Sequence, residues 1–329
     1  MLRLSDFDYS LPKELIAQYP LKERDTCRLL VLDRKKQEIR HLAFKDILDY
    51  LEAEDLLLLN DTRVLPCRLM GKRKSGGRVE ILLLENKEGL NFQAMLKPAR
   101  LKVGEEIIFG SGVTAEITGR DEVRFKGAGI EEVYSLGVMP LPPYIKREPE
   151  VSDNCDYQTV YAREEGAVAS PTAGLHFTPG LIAKLEGAGV NLGYLTLHVG
   201  AGTFKPVKSE DITAHKMHPE YFKIPEGTLK LIAEAKNKGR RIFCVGTTSL
   251  RALETFAQGK SEGSTELFIY PGFKFKLTDS LLTNFHLPKT TLFMLVCAFA
   301  GEELAKKAYQ EAIKLKYRFY SYGDAMLIL

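Results

Sequence analysis

No tryptophan occurs in the 329 residues, and the five cysteines (Cys27, Cys67, Cys155, Cys244, Cys297) are odd in number and scattered, with no CxxC pair. Such spacing argues against a disulfide framework or a zinc cluster and fits a reducing compartment, so a cytoplasmic location is expected. Long apolar runs are missing too. The longest, Leu292 to Ala300, is too short to span a bilayer, and the opening Met-Leu-Arg-Leu-Ser-Asp-Phe-Asp lacks the apolar core of a signal peptide, so no membrane partner is expected. Neither sign of charge is in large excess: the net +3 permits a nucleic-acid partner without requiring one. The absence of a Walker A segment, a GxSxG elbow and a zinc-deaminase pattern removes the common nucleotide hydrolases, esterases and base deaminases.

What is present is an ordinary globular composition, 45% hydrophobic and 27% charged, in a chain long enough for two domains. Arg28 to Leu32 and Glu38 to Leu42 read as a hairpin around Asp33 to Gln37. Phe44, Ile47, Leu48 and Leu51 recur at helical spacing, and Leu56 to Leu59 make a buried strand. From Arg63 the texture becomes a succession of short strands (Cys67 to Arg73, Arg78 to Glu85, Leu90 to Lys97, Glu106 to Phe109, Val113 to Thr118, Glu122 to Lys126) without a convincing helix, which predicts a small antiparallel barrel. Pro140-Leu-Pro-Pro143 reads as its stiff exit. After Ser152 the helical spacing returns, with Thr178-Pro179 as N-cap and first helical residue, Gly187 and Gly189 as its stop, and Thr228 as the cap of a helix through Lys238. Leu292 to Ala300 predicts a buried helix, and Leu304, Ala308, Ala312 and Leu315 share one face of the next. The expected fold is therefore a mixed-sheet α/β main domain, discontinuous in sequence (1–62 and 152–329), with an inserted antiparallel β-barrel domain at 63–151.

Polar turns directly after apolar strands are where such folds bind ligands. They occur at Asn60-Asp-Thr-Arg63, Ser170 to Phe177, Gly246 to Arg251 and Thr283-Asn-Phe-His286. Asn60, Asp61, Thr62 and Arg63 are either an Asx-type turn or a clamp for a polar substrate. Thr248 or Ser249 can cap the helix after Gly246 while also facing a ligand. His176, ahead of the Thr178 helix, and His198, sharing a strand face with Tyr194 and Thr196, are candidate acid–base groups, with His286 in a similar junction. Taken singly, each histidine reads as half-buried and satisfied by backbone. His215-Lys-Met-His218 with Glu220 has helical ligand spacing, but Pro219 interrupts it, and no metal is expected. Gly200-Ala-Gly202 lacks the third glycine of a dinucleotide or methyltransferase loop. Asp324, just before Met326-Leu-Ile-Leu329, is a turn former or a carboxylate held at a strand mouth. The basic groups Lys72-Arg73-Lys74 and Lys316 with Arg318, interleaved with Tyr317, Phe319 and Tyr320, are a solvated face or a phosphate-tracking surface.

Taken together the chain closely resembles the S-adenosylmethionine:tRNA ribosyltransferase-isomerase family of queuosine biosynthesis. The matching blocks run from end to end: Leu15 to Pro20, Arg24-Asp25 with Arg28-Leu-Leu30, Asn60 to Pro66, Tyr157 to Tyr161, Pro171 to Thr178, Leu197 to Phe204, Gly246 to Ser249, Pro271-Gly272, Thr283 to Pro288 and Ser321 to Leu327. Cys67 and Ser170 stand where the family pattern has alanine. The resemblance implies an α/β domain with an inserted barrel. It also implies transfer and isomerisation of the ribosyl part of S-adenosylmethionine onto 7-aminomethyl-7-deazaguanine at the tRNA wobble position, giving epoxyqueuosine, adenine and methionine. S-adenosylmethionine is then a consumed cosubstrate, and no bound prosthetic group is expected. On this basis His176, His198, Asp324 and Asp61 are the expected acid–base and orienting groups. Substrate contacts are expected from Asn60, Thr62, Arg63, Thr172, Gly174, Gly200, Gly202, Thr247, Thr248, Ser249, Arg251, Asn284 and His286, and tRNA contacts from Lys72, Arg73, Lys74, Lys316 and Arg318. The alternatives are an S-adenosylmethionine-dependent RNA methyltransferase and a non-catalytic RNA-binding module.

Overall fold

Leu56-Leu-Leu-Leu-Asn60 has no polar side to turn to water, so as a strand it must be covered on both faces. The structure, a computed structural model describing residues 2–200, 202, 207 and 209–329, buries all five. The strands are β1 (Arg28–Asp33), β2 (Glu38–Ala43), β3 (Leu56–Asn60), β4 (Thr62–Val64), β5 (Arg68–Arg73), β6 (Arg78–Glu88), β7 (Asn91–Lys97), β8 (Glu106–Ile108) and β9 (Thr114–Gly119). They continue as β10 (Glu122–Lys126), β11 (Gly137–Val138), β12 (Glu164–Ala167), β13 (Asn191–Leu197), β14 (Glu220–Lys223), β15 (Ile242–Val245), β16 (Glu262–Thr265), β17 (Ser280–Asn284) and β18 (Ala325–Ile328). The helices are α1 (Ile130–Ser135), α2 (Asp153–Asp156), α3 (Pro179–Gly187), α4 (Glu226–Asn237), α5 (Gly246–Phe256), α6 (Thr291–Ala300) and α7 (Glu302–Lys314).

The main sheet has the order β16-β14-β13-β3-β15-β17-β18-β1-β2. Its centre, β13-β3-β15-β17, is parallel. β18 returns antiparallel to β17, β1 runs parallel to β18, and β14 is antiparallel to β13. The carboxyl ends of the four central strands therefore share one edge of the sheet with the first residues of β14, β18 and β1. Alternation decides the two cores: Leu56, Leu58, Leu195, Ile242 and Leu281 pack against the side that holds α5, α6 and α7. Leu57, Leu59, Phe243, Val245 and Leu282 pack against Phe44, Phe177, Leu181 and Leu185 on the other. No helix of the described residues is long and apolar enough to cross a membrane.

The short strands close into a barrel. β5-β6-β7-β10-β9-β8 is antiparallel throughout, and β8 pairs back onto β5. Leu69, Val79, Ile81, Phe92, Ile107, Ala115 and Val123 fill its interior, and closure removes the free sheet edges. Gly71 fits only without a side chain, since a Cβ there would lie 2.5 Å from Ile107. The parallel pair β4–β12 and a small apolar cluster of Val64, Met139, Ile145, Tyr157, Leu175 and Tyr322 join the barrel's two connecting segments to the main sheet.

Three local expectations are corrected. Helix α1 follows the barrel strands, where no helix was expected, its first turn held by Glu132 accepting from the Gly129 N–H. Thr228 does not cap α4, which starts at Glu226 after Pro225; the Thr228 hydroxyl instead donates to the Tyr194 carbonyl at 2.6 Å and ties α4 to β13. Leu315 falls just past α7 and is exposed, while Leu304, Ala305, Ala308 and Ala312 form the buried face.

Asp324 shows how the sheet edge is held. Its carboxylate accepts from the backbone N–H of Arg28 (3.0 Å) and of Arg318 (2.7 Å), and from Nε and Nη2 of the Arg28 side chain (3.1 and 3.0 Å). One buried carboxylate thus fastens the starts of β1 and β18 and the turn between them. Because Arg28 is partly exposed, the ion pair alone is worth little, and the two backbone N–H bonds to the buried carboxylate dominate. Asp324→Ala is expected to cost about 2–3 kcal/mol, read as a lower urea midpoint with an unchanged slope. A variant of wild-type stability that is inactive would instead return Asp324 to the chemistry.

Candidate active site

The polar turns gather at that one edge because the strands feeding them end there. A cleft of about 600 Å³ opens between the ends of β15 and β17, the segment Ala169–Ala173, the start of β14 and the first turn of α6. Such a volume suits a nucleoside-sized ligand. Of the sequence-derived site residues, Thr172, Gly202, Thr247, Thr248, Arg251, Asn284 and His286 line it.

Asn284 sets the floor. Its Nδ2 donates to the Tyr320 carbonyl at 3.0 Å, and a carbonyl only accepts, so the amide orientation is fixed. Its Oδ1 then takes the Thr172 hydroxyl at 3.2 Å. The same Nδ2 donates to Nε2 of His176 at 3.2 Å, which leaves that nitrogen without a proton and puts the hydrogen on Nδ1, 3.1 Å from the Cys27 sulfur. Burial, with Arg318 and Arg24 adding to it, pushes His176 down to about 3, and burial pushes the Cys27 thiol well up. Both groups are neutral, and His176 sits behind Asn284 rather than in the cleft.

His286 is on the wall itself. Its Nε2 pairs with the Thr283 hydroxyl at 2.7 Å, its backbone N–H donates to the Tyr309 hydroxyl at 3.1 Å, and burial pushes it down to about 3. Helix α5 starts beside it at Gly246, whose φ of +88° a side chain would strain. Contrary to the capping expectation, no side chain of the described residues caps this helix. Ser249 turns back to the Val245 carbonyl at 2.8 Å, and the Thr248 hydroxyl is buried without a partner among the described residues.

Several expected residues lie elsewhere. Asn60 is spent on β13, donating to the Leu197 carbonyl and accepting its N–H. Asp61 accepts from Thr196 at 2.8 Å and pairs with Arg163, and burial raises its pKa. Thr62 hydrogen-bonds Nδ1 of His198 at 2.8 Å. His198 stacks on Tyr221, faces Gly166 and is lowered by burial, so this group forms a second polar network beside the cleft. Arg63 is exposed against Glu165. Gly174 is a packing glycine, since a Cβ would lie 2.0 Å from the Tyr161 hydroxyl, and Gly200 donates its N–H to Glu220. Asp324 is the clamp described above. The α3 start beside His176 is not open to a ligand: Thr178 caps it at 3.1 Å and donates to Asp25. Ala201, Thr203 and Phe204 of the Leu197 to Phe204 block lie outside the described residues. Among the basic residues, Lys72 and Lys316 are exposed, Arg73 and Lys74 pair with Glu105 and Glu106, and Arg318 is half-buried against the Tyr19 carbonyl.

Sequence reasoning missed Glu220 as a cleft residue, together with Tyr144 and Tyr157. A signal was there. Glu220-Tyr-Phe-Lys223 alternates, so Glu220 shares the buried face with Phe222, and an acid on an apolar face needs a partner. That partner is Arg251, with which it forms a close ion pair while its other oxygen takes the Gly200 N–H at 3.0 Å.

The family described as queuosine biosynthesis protein matches residues 4–328. Over the full length of both chains, the sequence is 52% identical to an S-adenosylmethionine:tRNA ribosyltransferase-isomerase of Sulfurihydrogenibium sp. (strain YO3AOP1). It is 49% identical, again over all of both chains, to one from Thermotoga maritima. A crystal structure of an S-adenosylmethionine tRNA ribosyltransferase from Thermotoga maritima matches with a TM-score of 0.59 at 39% identity, covering 98% of this chain and 100% of that one. With its mixed sheet, its closed barrel and this end-to-end likeness, the chain belongs to the queuosine biosynthesis protein family.

Proposed function

We propose that the chain is a cytoplasmic S-adenosylmethionine:tRNA ribosyltransferase-isomerase. It moves and isomerises the ribosyl part of S-adenosylmethionine onto the aminomethyl group of a tRNA wobble deazaguanine, forming epoxyqueuosine and releasing adenine and methionine. The supporting observation is convergence: Thr172, Gly202, Thr247, Asn284, His286 and Ser321, from blocks far apart in sequence, line one cleft. With S-adenosylmethionine consumed in the reaction, the reading calls for no bound prosthetic group. Incubated with S-adenosylmethionine and tRNA bearing the aminomethyl base, the protein is expected to release adenine and methionine in equal amounts. S-adenosylhomocysteine would establish methyl transfer instead, and binding without turnover would leave an RNA-binding module.

The chemistry sets requirements. The sulfonium acidifies the ribose C5′ protons, so a proton acceptor must stand in the cleft; adenine leaves more easily when protonated, and the attacking amine must be neutral. His286 stands on the cleft wall as a neutral imidazole that can orient the ligand, while the burial that holds it down to about 3 opposes its taking the proton itself. His176 acts as a positioning residue through Asn284, and Asp61 with His198 braces the neighbouring strand ends. His176→Asn is therefore expected to lower kcat severalfold while leaving the shape of the pH–rate profile between about pH 5 and 8 unchanged. Loss of a limb of that profile would make His176 the base.

The barrel unit, residues 63–151, and the Lys316 turn of the main unit formed by 1–62 and 152–329 offer the tRNA surface. Lys72 and Lys316 are exposed cations of the two groups without an ion-pair partner among the described residues, whereas the exposed Lys74 pairs with Glu106. Each alanine substitution is expected to flatten the plot of log Kd for tRNA against log salt by about 0.7–0.9. An unchanged slope would move the surface elsewhere.

A further inference from the structure

Arg251 is 6% exposed and lines the cleft. A guanidinium in that setting normally has all its donors used, because an unmet buried N–H loses its water without replacement. Two groups are met here: Nε donates to the Leu267 carbonyl at 2.9 Å, and Nη1 to Oε2 of Glu220. Nη2 has no partner among the described residues. One helical turn earlier on the same face of α5, the Thr248 hydroxyl is also buried and unpartnered, and it too lines the cleft. The same helix begins there at Gly246, its N-cap residue Val245 supplies no side-chain cap, and Gly246 and Thr247 of its first turn also line the cleft. A cationic nitrogen and a hydroxyl, both without a partner among the described residues, and a helix start on the same wall make a site for an oxyanion.

We infer that this wall binds the carboxylate of the methionine part of S-adenosylmethionine, with Arg251 and Thr248 as its side-chain donors and Glu220 as the positioning residue that holds Arg251. The inference rests on the ribosyltransferase reading and names a subsite within it. Enclosure selects the anion's source: a guanidinium buried this deeply is beyond the reach of a polynucleotide backbone, whereas the end of a small ligand can enter the cleft that Arg251 and Thr248 line. Glu220 leaves the wall with no net charge before binding, so the incoming carboxylate is balanced by the sulfonium and ammonium that the same ligand carries. Fixing the carboxylate also fixes the direction of the chain leading to the sulfonium, and with it the ribose C5′ that must lose a proton.

The test compares S-adenosylmethionine with decarboxylated S-adenosylmethionine, an otherwise identical sulfonium nucleoside. Wild-type protein, assayed by adenine release with substrate tRNA, is expected to show a KM about 10- to 100-fold higher for the decarboxylated form. Arg251→Gln is expected to raise KM for S-adenosylmethionine by a similar factor and to lose most of the discrimination between the two. Thr248→Val leaves the Arg251–Glu220 pair intact and is expected to raise it about fivefold, which keeps the test decisive if Arg251→Gln fails to fold. Wild-type discrimination that persists in both variants overturns the inference, as does a rise in KM for tRNA alone, which would assign the wall to an RNA phosphate. Wild-type protein that releases no adenine from S-adenosylmethionine overturns the ribosyltransferase reading itself, a result distinguishable because it precedes any comparison of variants.

Discussion

A strand buried on both faces offers function only its ends. β3 is such a strand, and β13, β15 and β17 share most of its burial, so the four parallel strands at the centre of the sheet have almost no lateral surface on which to place a polar group. Their carboxyl ends coincide at one edge, and the antiparallel returns of β14 and β18 bring their first residues to the same place. Asn60, Glu220, Gly246, Asn284 and Asp324 stand together for this reason. Cleft, side network and clamp follow from where the apolar runs stop.

The same burial governs the charges along that edge. His176 and His286 are held far below the ordinary histidine range because nothing nearby repays the loss of water around an imidazolium. Each keeps its place through hydrogen bonds to neutral partners. Glu220 with Arg251, an ion pair with both partners buried, also has a donor without a partner among the described residues. Desolvating two charges is repaid only when every polar atom around them is satisfied, so an incomplete pair on a cleft wall points to a ligand that completes it.

The strands and the barrel were legible in the sequence because both rest on period: the run Leu56 to Leu59, the hairpin around Asp33, and the alternation that β5 to β10 turn into a barrel interior. The family blocks likewise located the edge. What period could not supply was side-chain direction in the turns. His176 lies in a short 3-10 segment, Thr172–His176, where neither the helical nor the strand repeat applies, and its ring turns back toward Phe44 and Cys27. His286, in an outwardly similar junction, turns into the cleft. Thr248 reads locally as a cap, yet its hydroxyl is buried without taking a backbone N–H of its own helix, a choice made by the tertiary wall around α5. Glu220 was overlooked as a cleft residue for the opposite reason: it is the period-2 position of a four-residue strand, recognisable only once Tyr221 and Phe222 are known to be strand residues.

The barrel bears on the cleft through its return segment. Tyr144 and Tyr157 lie on the stretch that leads from the barrel back to the main sheet, and both line the cleft. Tyr157 also belongs to the apolar cluster that joins the connecting segments, in contact with Tyr322. Asp153 fixes that stretch from the other side, held by two guanidinium nitrogens of Arg147 at 2.6 and 2.7 Å and by the Tyr322 hydroxyl at 3.0 Å. Because Tyr322 follows Ser321, which lines the cleft and bonds Tyr144, any shift of the barrel's return is transmitted to the floor around Tyr320 and Asn284. The inserted unit is thus a structural part of the site, and a load placed on the barrel acts on the geometry of the cleft through packed tyrosines and one buried ion pair.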